Sequence, residues 1–146
     1  MKTIAQLLMM ALCLLAIPAH SADTATVSNA WARATAPGQE VGAAYMSLKS
    51  TTNAELVKVE TPAAGSVEIH MMSMKNGVME MRMLDKLALP AGKSVDLAPG
   101  GFHLMLFDLK KPLKSGENVP FTLSIKYGNG KVISLQTTVP IKAGKN

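Results

Sequence analysis

The chain has 146 residues, 15 Lys+Arg against 10 Asp+Glu, a formal net charge of +5 and an apolar share of 48%. That length and apolar content fit one domain with its own core and exclude a disordered chain. Aromatics are only 4% and the positive charge is spread along the chain, so a nucleic-acid partner is not expected.

The first 21 residues read as a targeting segment. Lys2 gives a positive start, Leu7 to Ile17 form an apolar run, Pro18 breaks it, and Ala19-His20-Ser21 places small residues at −3 and −1 of a cleavage site. The expectation is a secretory signal peptide over residues 1–21, cleaved near Ser21, and a mature domain over residues 22–146. The run is short for a transmembrane helix and no later segment is apolar enough to span a bilayer, so no stable membrane insertion is expected. Cys13 lies mid-run behind Leu12, where a lipobox wants a small residue, which disfavours lipidation. Cleavage removes that single Cys, leaving no disulfide and no thiol chemistry. An exported chain without cysteine suits an oxidising compartment, and a bacterial periplasm is the simplest destination.

Past the signal, short β-rich runs alternate with turn residues. Candidate strands are Thr26–Arg33, Val41–Leu48, Glu55–Glu60, Ser66–Met74, Val78–Leu84, Phe102–Leu109, Phe121–Tyr127 and Lys131–Val139, punctuated by Gly, Pro and Asn clusters. The pattern predicts one antiparallel β-sandwich. Asn76-Gly77 between apolar runs predicts a two-residue type I′ hairpin. Lys75 then faces Val78, Met74 faces Met79, Met72 faces Met81 and His70 faces Met83. Strand alternation puts His70 and Met72, Met74, Met79, Met81 and Met83 on one face, with His70 and Met81 as diagonal neighbours. Val67 and Ile69 then point the other way, away from the methionines. A bulge or a longer loop would remove that conflict.

Two histidines remain after residue 21, and both keep company with methionine. His70 sits in a segment carrying six Met between residues 71 and 83, and His103 is followed at i+2 by Met105. Pro99-Gly100-Gly101 precedes that pair and places His103 near a loop at the domain rim. A single strand histidine is more often structural than a ligand, and strand methionines are more often core filler. It is the coincidence of both residue types in both strands that points to a metal. Thioether sulfur is soft and neutral, imidazole is borderline, and a set of both suits Cu(I) far better than Mg(II), Ca(II) or Zn(II). A blue-copper electron-transfer site needs a Cys thiolate and is excluded once Cys13 is removed. Glu80 and Arg82 read as a solvated strand face, and Trp31 and Tyr45 as core anchors.

The spacing His70-x10-Met81-x21-His103-x-Met105, with Met71 after the first His, resembles the H(M)-x10-M-x21-H-x-M signature of the periplasmic copper chaperones called PCu(A)C. Ala30-Trp31-Ala32-Arg33, Gly42-Ala43-Ala44-Tyr45-Met46, Asn76-Gly77-Val78-Met79, Pro99-Gly100-Gly101-Phe102 and Leu109-Lys110-Lys111-Pro112-Leu113 are similar to that family as well. The resemblance implies a cupredoxin-like sandwich holding one Cu(I) through His70, Met81, His103 and Met105. It also implies delivery of copper to the CuA subunit of cytochrome c oxidase, alongside a Sco-type protein. Some members add a Cu(II) site on a His- and Met-rich tail. This chain ends Ile141-Lys142-Ala143-Gly144-Lys145-Asn146, so no such site is expected. Met71, Met72, Met74, Met79 and Met83 are alternate donors at most, with core or rim packing the expected role.

No enzymatic constellation competes. There is no Ser-His-Asp order, no phosphate loop and no thiol nucleophile, and Asp85 and Asp108 lack a partner for acid–base work. Two rival readings remain: a copper scavenger or resistance protein without a dedicated acceptor, and a structural sandwich whose methionines fill its core.

Overall fold

The computed structural model describes residues 22–144. The proposed signal peptide and its cleavage site lie outside them. Every regular element among the described residues is a strand: β1 Ala25–Arg33, β2 Gly42–Ser50, β3 Ala54–Glu60, β4 Ser66–Lys75, β5 Val78–Leu84, β6 Leu87–Leu89, β7 Ser94–Leu97, β8 Phe102–Phe107, β9 Asn118–Tyr127 and β10 Val132–Lys142. They hydrogen-bond in the order β5-β4-β8-β7-β2-β1-β10-β9-β3-β6, with β8 also pairing β2. Two layers result. One contains β5, β4, β8, β7, β2 and β1, the other β10, β9, β3 and β6. A short parallel ladder, Ala32↔Ile141 and Arg33↔Lys142, joins them. The architecture is the cupredoxin-like β-sandwich that the sequence predicts, with parallel pairs at β1–β10 and β7–β8 in an otherwise antiparallel arrangement.

Alternation along the strands builds the core. Ala44, Met46 and Leu48 of β2 and Leu104 and Leu106 of β8 meet Leu56, Val59, Phe121, Leu123 and Ile125 of the other layer, all buried. Each fully buried Leu or Phe contributes roughly 1.5–3 kcal/mol relative to exposure. Tight chain approach also selects a glycine: a Cβ on Gly65 would sit 2.9 Å from Cβ of Asp108, and Gly65 N–H donates to the Phe107 carbonyl at 2.9 Å.

Where sequence and structure differ, local causes are visible. Strands β6 and β7, three and four residues long on either side of Pro90, are too short to carry an alternation pattern and are absent from the sequence reading. Strand β8 stops at Phe107 instead of Leu109, because Asp108 adopts a left-handed φ of 54° and turns the chain. Strands β9 and β10 run through Pro120 and Pro140, which the sequence reading places outside them. Both prolines fall near strand ends, where a lost ladder donor costs least.

The β4–β5 hairpin follows the predicted register without a bulge: Met74↔Met79, Met72↔Met81 and His70↔Met83. Asn76 and Gly77 have φ values of 50° and 77°, the positive pair that a type I′ turn demands. The apparent conflict over Val67 and Ile69 dissolves differently from the way expected. Ile69 is core and the methionine face is solvent. Met74 is 66% exposed, Met79 57%, Met81 50% and Met83 53%. Of the core or rim packing expected for Met74, Met79 and Met83, the exposures exclude the core and leave the rim. Strand β5 is an edge strand exposed on both faces up to Met83.

Candidate metal centre

Strands β5, β4 and β8 lie side by side, and their register sets the site. His70 pairs directly with His103 across β4 and β8, and Glu68 with Met105. On its other flank His70 pairs with Met83, and Met72 with Met81. Met83, His70 and His103 therefore form one row across the sheet. Met81 and Met105 lie diagonally from His70, one on each neighbouring strand. Because strand side chains alternate, all of these residues point to the face opposite the core residues Ile69, Leu104 and Leu106. The structure thus brings His70 and His103 together directly. It places Met81 and Met105 on the same face, at cross-strand diagonals that long side chains span.

The two rings lie 5.8 Å apart, centroid to centroid, at 45°. His103 stands one residue into β8, beside the expected loop, and is 5% exposed. The Ala98-Pro99-Gly100-Gly101 turn controls its ring. The Gly101 N–H donates to the Ala98 carbonyl, and the Gly101 carbonyl accepts from the Met72 N–H at 3.0 Å. That same carbonyl lies 3.1 Å from Nδ1 of His103. A carbonyl can only accept, so Nδ1 carries the proton and Nε2 keeps a lone pair.

His70 is held by the opposite nitrogen. Its Nε2 lies 2.8 Å from a Glu68 carboxylate oxygen, while its Nδ1 is buried with no hydrogen-bond partner. The tautomer that donates from Nε2 to the carboxylate carries its lone pair on Nδ1. A buried nitrogen lone pair without a partner is costly in a finished core and is what a metal ligand requires. Glu68 thus orients a candidate ligand, a role the sequence reading missed. Its signal was present: Glu68 stands two residues before His70, on the same strand face.

Donor chemistry at this face is soft. Among the described residues no cluster of three or more His, Cys, Asp or Glu is arranged to hold a metal ion. Only imidazole and thioether are added in number here, which fits a soft d10 ion and not a hard one. Trp31 and Tyr45 stack with centroids 4.6 Å apart, yet Trp31 is only half-buried. The β2–β8 register pairs Ala43 with Met105, and alternation puts Tyr45 on the face of Ala43. The aromatic pair therefore flanks the candidate site on its own face, which corrects the core-anchor expectation for Trp31. A separate cleft of about 490 Å³ among β3, β6 and β9 is lined by none of these residues. Tyr127 on its wall has a phenol pushed above its ordinary value, chiefly by burial and then by the negative charge of Asp23.

Comparison with known proteins gives a consistent picture. The family model described as "Putative lipoprotein LpqE-like" matches residues 25–141. A protein of Leifsonia xyli subsp. xyli named "Putative lipoprotein Lxx21020" is 35% identical over 128 residues, covering 86% of this chain and 74% of its own length. The solution structure of CuI-DR1885 from Deinococcus radiodurans shares 33% identity with a TM-score of 0.58, over 82% of this chain and 78% of that one. The apo PCuAC domain from PmoF1 shares 27% identity with a TM-score of 0.67, over 82% and 94% of the two chains.

Proposed function

The chain belongs to the LpqE-like family, which is the PCu(A)C family, and from that premise we propose that it is a periplasmic copper chaperone holding one tightly bound Cu(I) through His70, Met81, His103 and Met105. One observation carries the reading. Two imidazoles are directly opposed across β4 and β8, each held by one ring nitrogen, and the buried Nδ1 of His70 has no protein partner, in a field of thioethers. The Deinococcus relative, described as CuI-bound, supports the choice of ion. The ion is cargo. All four donors are neutral, the Glu68 carboxylate standing behind His70 rather than on the ion, and the protein releases the cation by ligand exchange. Met81 on the exposed edge strand is the donor an incoming ligand displaces first. His103, buried and braced by the Gly101 carbonyl, is the last to let go.

The acceptor in this reading is the CuA subunit of cytochrome c oxidase, reached alone or with a Sco-type protein. The test is an anaerobic Cu(I) titration followed by mixing with a purified apo CuA domain. The expected result is one tight equivalent, weak Zn(II) binding, and loading of the CuA domain. Tight binding with no loading would leave a scavenger, and absence of Cu(I) binding would remove the site. The third rival, a structural sandwich with methionines in its core, fails on the exposure of Met74, Met79, Met81 and Met83.

Glu68 supplies a graded check. Glu68→Gln keeps shape but weakens the acceptor of the His70 Nε2 proton. Loss of such an outer partner lowers metal affinity by roughly 10- to 100-fold in comparable sites. A drop in that range is expected in competition against a Cu(I) chelator, with unchanged stoichiometry. Equal affinity in both proteins would remove Glu68 from the site.

A further inference from the structure

The outer end of the β4–β5 hairpin is not used by the four-ligand site, and its composition is unexplained by folding. Pairing of β4 with β8 ends at Met71↔Phe102, followed by one bond from the Met72 N–H to the Gly101 carbonyl, so Ser73–Lys75 pair only with β5 and form a two-stranded ribbon. One face of that ribbon carries Met74 and Met79, with Met72 and Met81 behind them toward His70. The other carries Ser73, Lys75, Val78 and Glu80, with the Met71↔Arg82 pair behind them. Charged and polar groups thus crowd one exposed face, while the equally exposed opposite face holds thioethers and no charge.

We propose that Met72, Met74 and Met79 form a second, weaker site for a soft monovalent d10 cation, Cu(I) or Ag(I), separate from the four-ligand site. Met74 and Met79 are directly opposed, and Met72 is two residues along β4 on the same face. Opposed strand residues have Cβ atoms about 4.5–5.5 Å apart. Methionine adds three rotatable bonds and a soft donor, so three sulfurs converge on one ion without backbone movement. Solvent exposure above one half leaves Met74 and Met79 free to do so. Isolated two-stranded ribbons are marginal in water, and an ion held across the strands would clamp this one. The position beside Met81 makes it a first landing point for an ion bound for the inner site. Three thioethers without imidazole bind more weakly than the four-donor set, which is the order a one-way handover requires. Neither site's existence depends on the other.

The experiment is a titration of the protein, labelled with 13C-methyl methionine, with Ag(I) as a redox-inert probe. The first equivalent is expected to shift the Met81 and Met105 methyls, and the second those of Met72, Met74 and Met79. M72L/M74L/M79L keeps the apolar surface and is expected to bind one equivalent instead of two. H103A/M105A is expected to lose the tight equivalent and keep the hairpin one. Two equivalents in the triple leucine variant, or a second equivalent that leaves the three methyls unmoved, would overturn the inference while the four-ligand reading stands. A first equivalent that leaves Met81 and Met105 unmoved would instead overturn the four-ligand reading alone. A hairpin that serves only as an apolar docking surface for a partner would show no second equivalent.

Discussion

His103→Ala is expected to lower Cu(I) affinity by more than about 100-fold, since even outer-shell losses cost 10- to 100-fold in metal sites. The reasons are geometric. His103 opposes His70 directly, its ring is oriented by the Gly101 carbonyl at 3.1 Å, and it is 5% exposed. Among the described residues His70 is the one other histidine, so no imidazole stands in reserve. Methionines do stand in reserve. Met83 opposes His70, and Met72 lies beside it. Met105→Ala is expected to follow in direction, with Met83 or Met72 recovering part of the loss. Competition against a Cu(I) chelator measures both variants. Unchanged affinity in both would strike these residues from the ligand set.

The same strands show what the sequence discloses and what it withholds. Asn76-Gly77 fixes a two-residue loop by local backbone chemistry, and the loop fixes every pair in the hairpin, so the register from His70↔Met83 to Lys75↔Val78 was legible. Which face met solvent was not. On β4 both alternating sets are mixed: Val67, Ile69 and Met71 run on into Ser73 and Lys75, while Ser66, Glu68 and His70 run on into Met72 and Met74. Only the path of β8 decides between them. Leu104 and Leu106 join Ile69 in the core, and His103 and Met105 go out with His70. The donor set was readable as residue types at set spacings, whereas the brace on His103 required knowing that Gly101 turns its carbonyl back toward the ring. Glu68 was readable in hindsight by its i+2 relation to His70. Strands β6 and β7 were not readable, because three or four residues carry too little alternation to stand out from loops.

Leu104 lies between His103 and Met105, and its substitution is expected to separate the fold from the site. Its side chain is 0% exposed and packs in the core, on the face opposite the two ligands. Leu104→Ala removes buried methyl groups and leaves a cavity, which costs about 2–5 kcal/mol in close-packed interiors. For a domain of this size that corresponds to a fall in melting temperature of about 6–25 °C. The folded variant keeps the His70↔His103 pair, the Glu68 and Gly101 hydrogen bonds and every thioether. Cu(I) therefore still stabilises it: a ligand at 100 times its Kd adds about 2.7 kcal/mol to the folded state. His103→Ala should show the converse, with a smaller loss of melting temperature in the metal-free protein and little response to Cu(I). Thermal melts of the two variants with and without Cu(I), followed by circular dichroism, make the comparison. The assignment of alternate β8 side chains to core and site fails if Leu104→Ala melts like the parent protein, or if it alone loses the Cu(I) response.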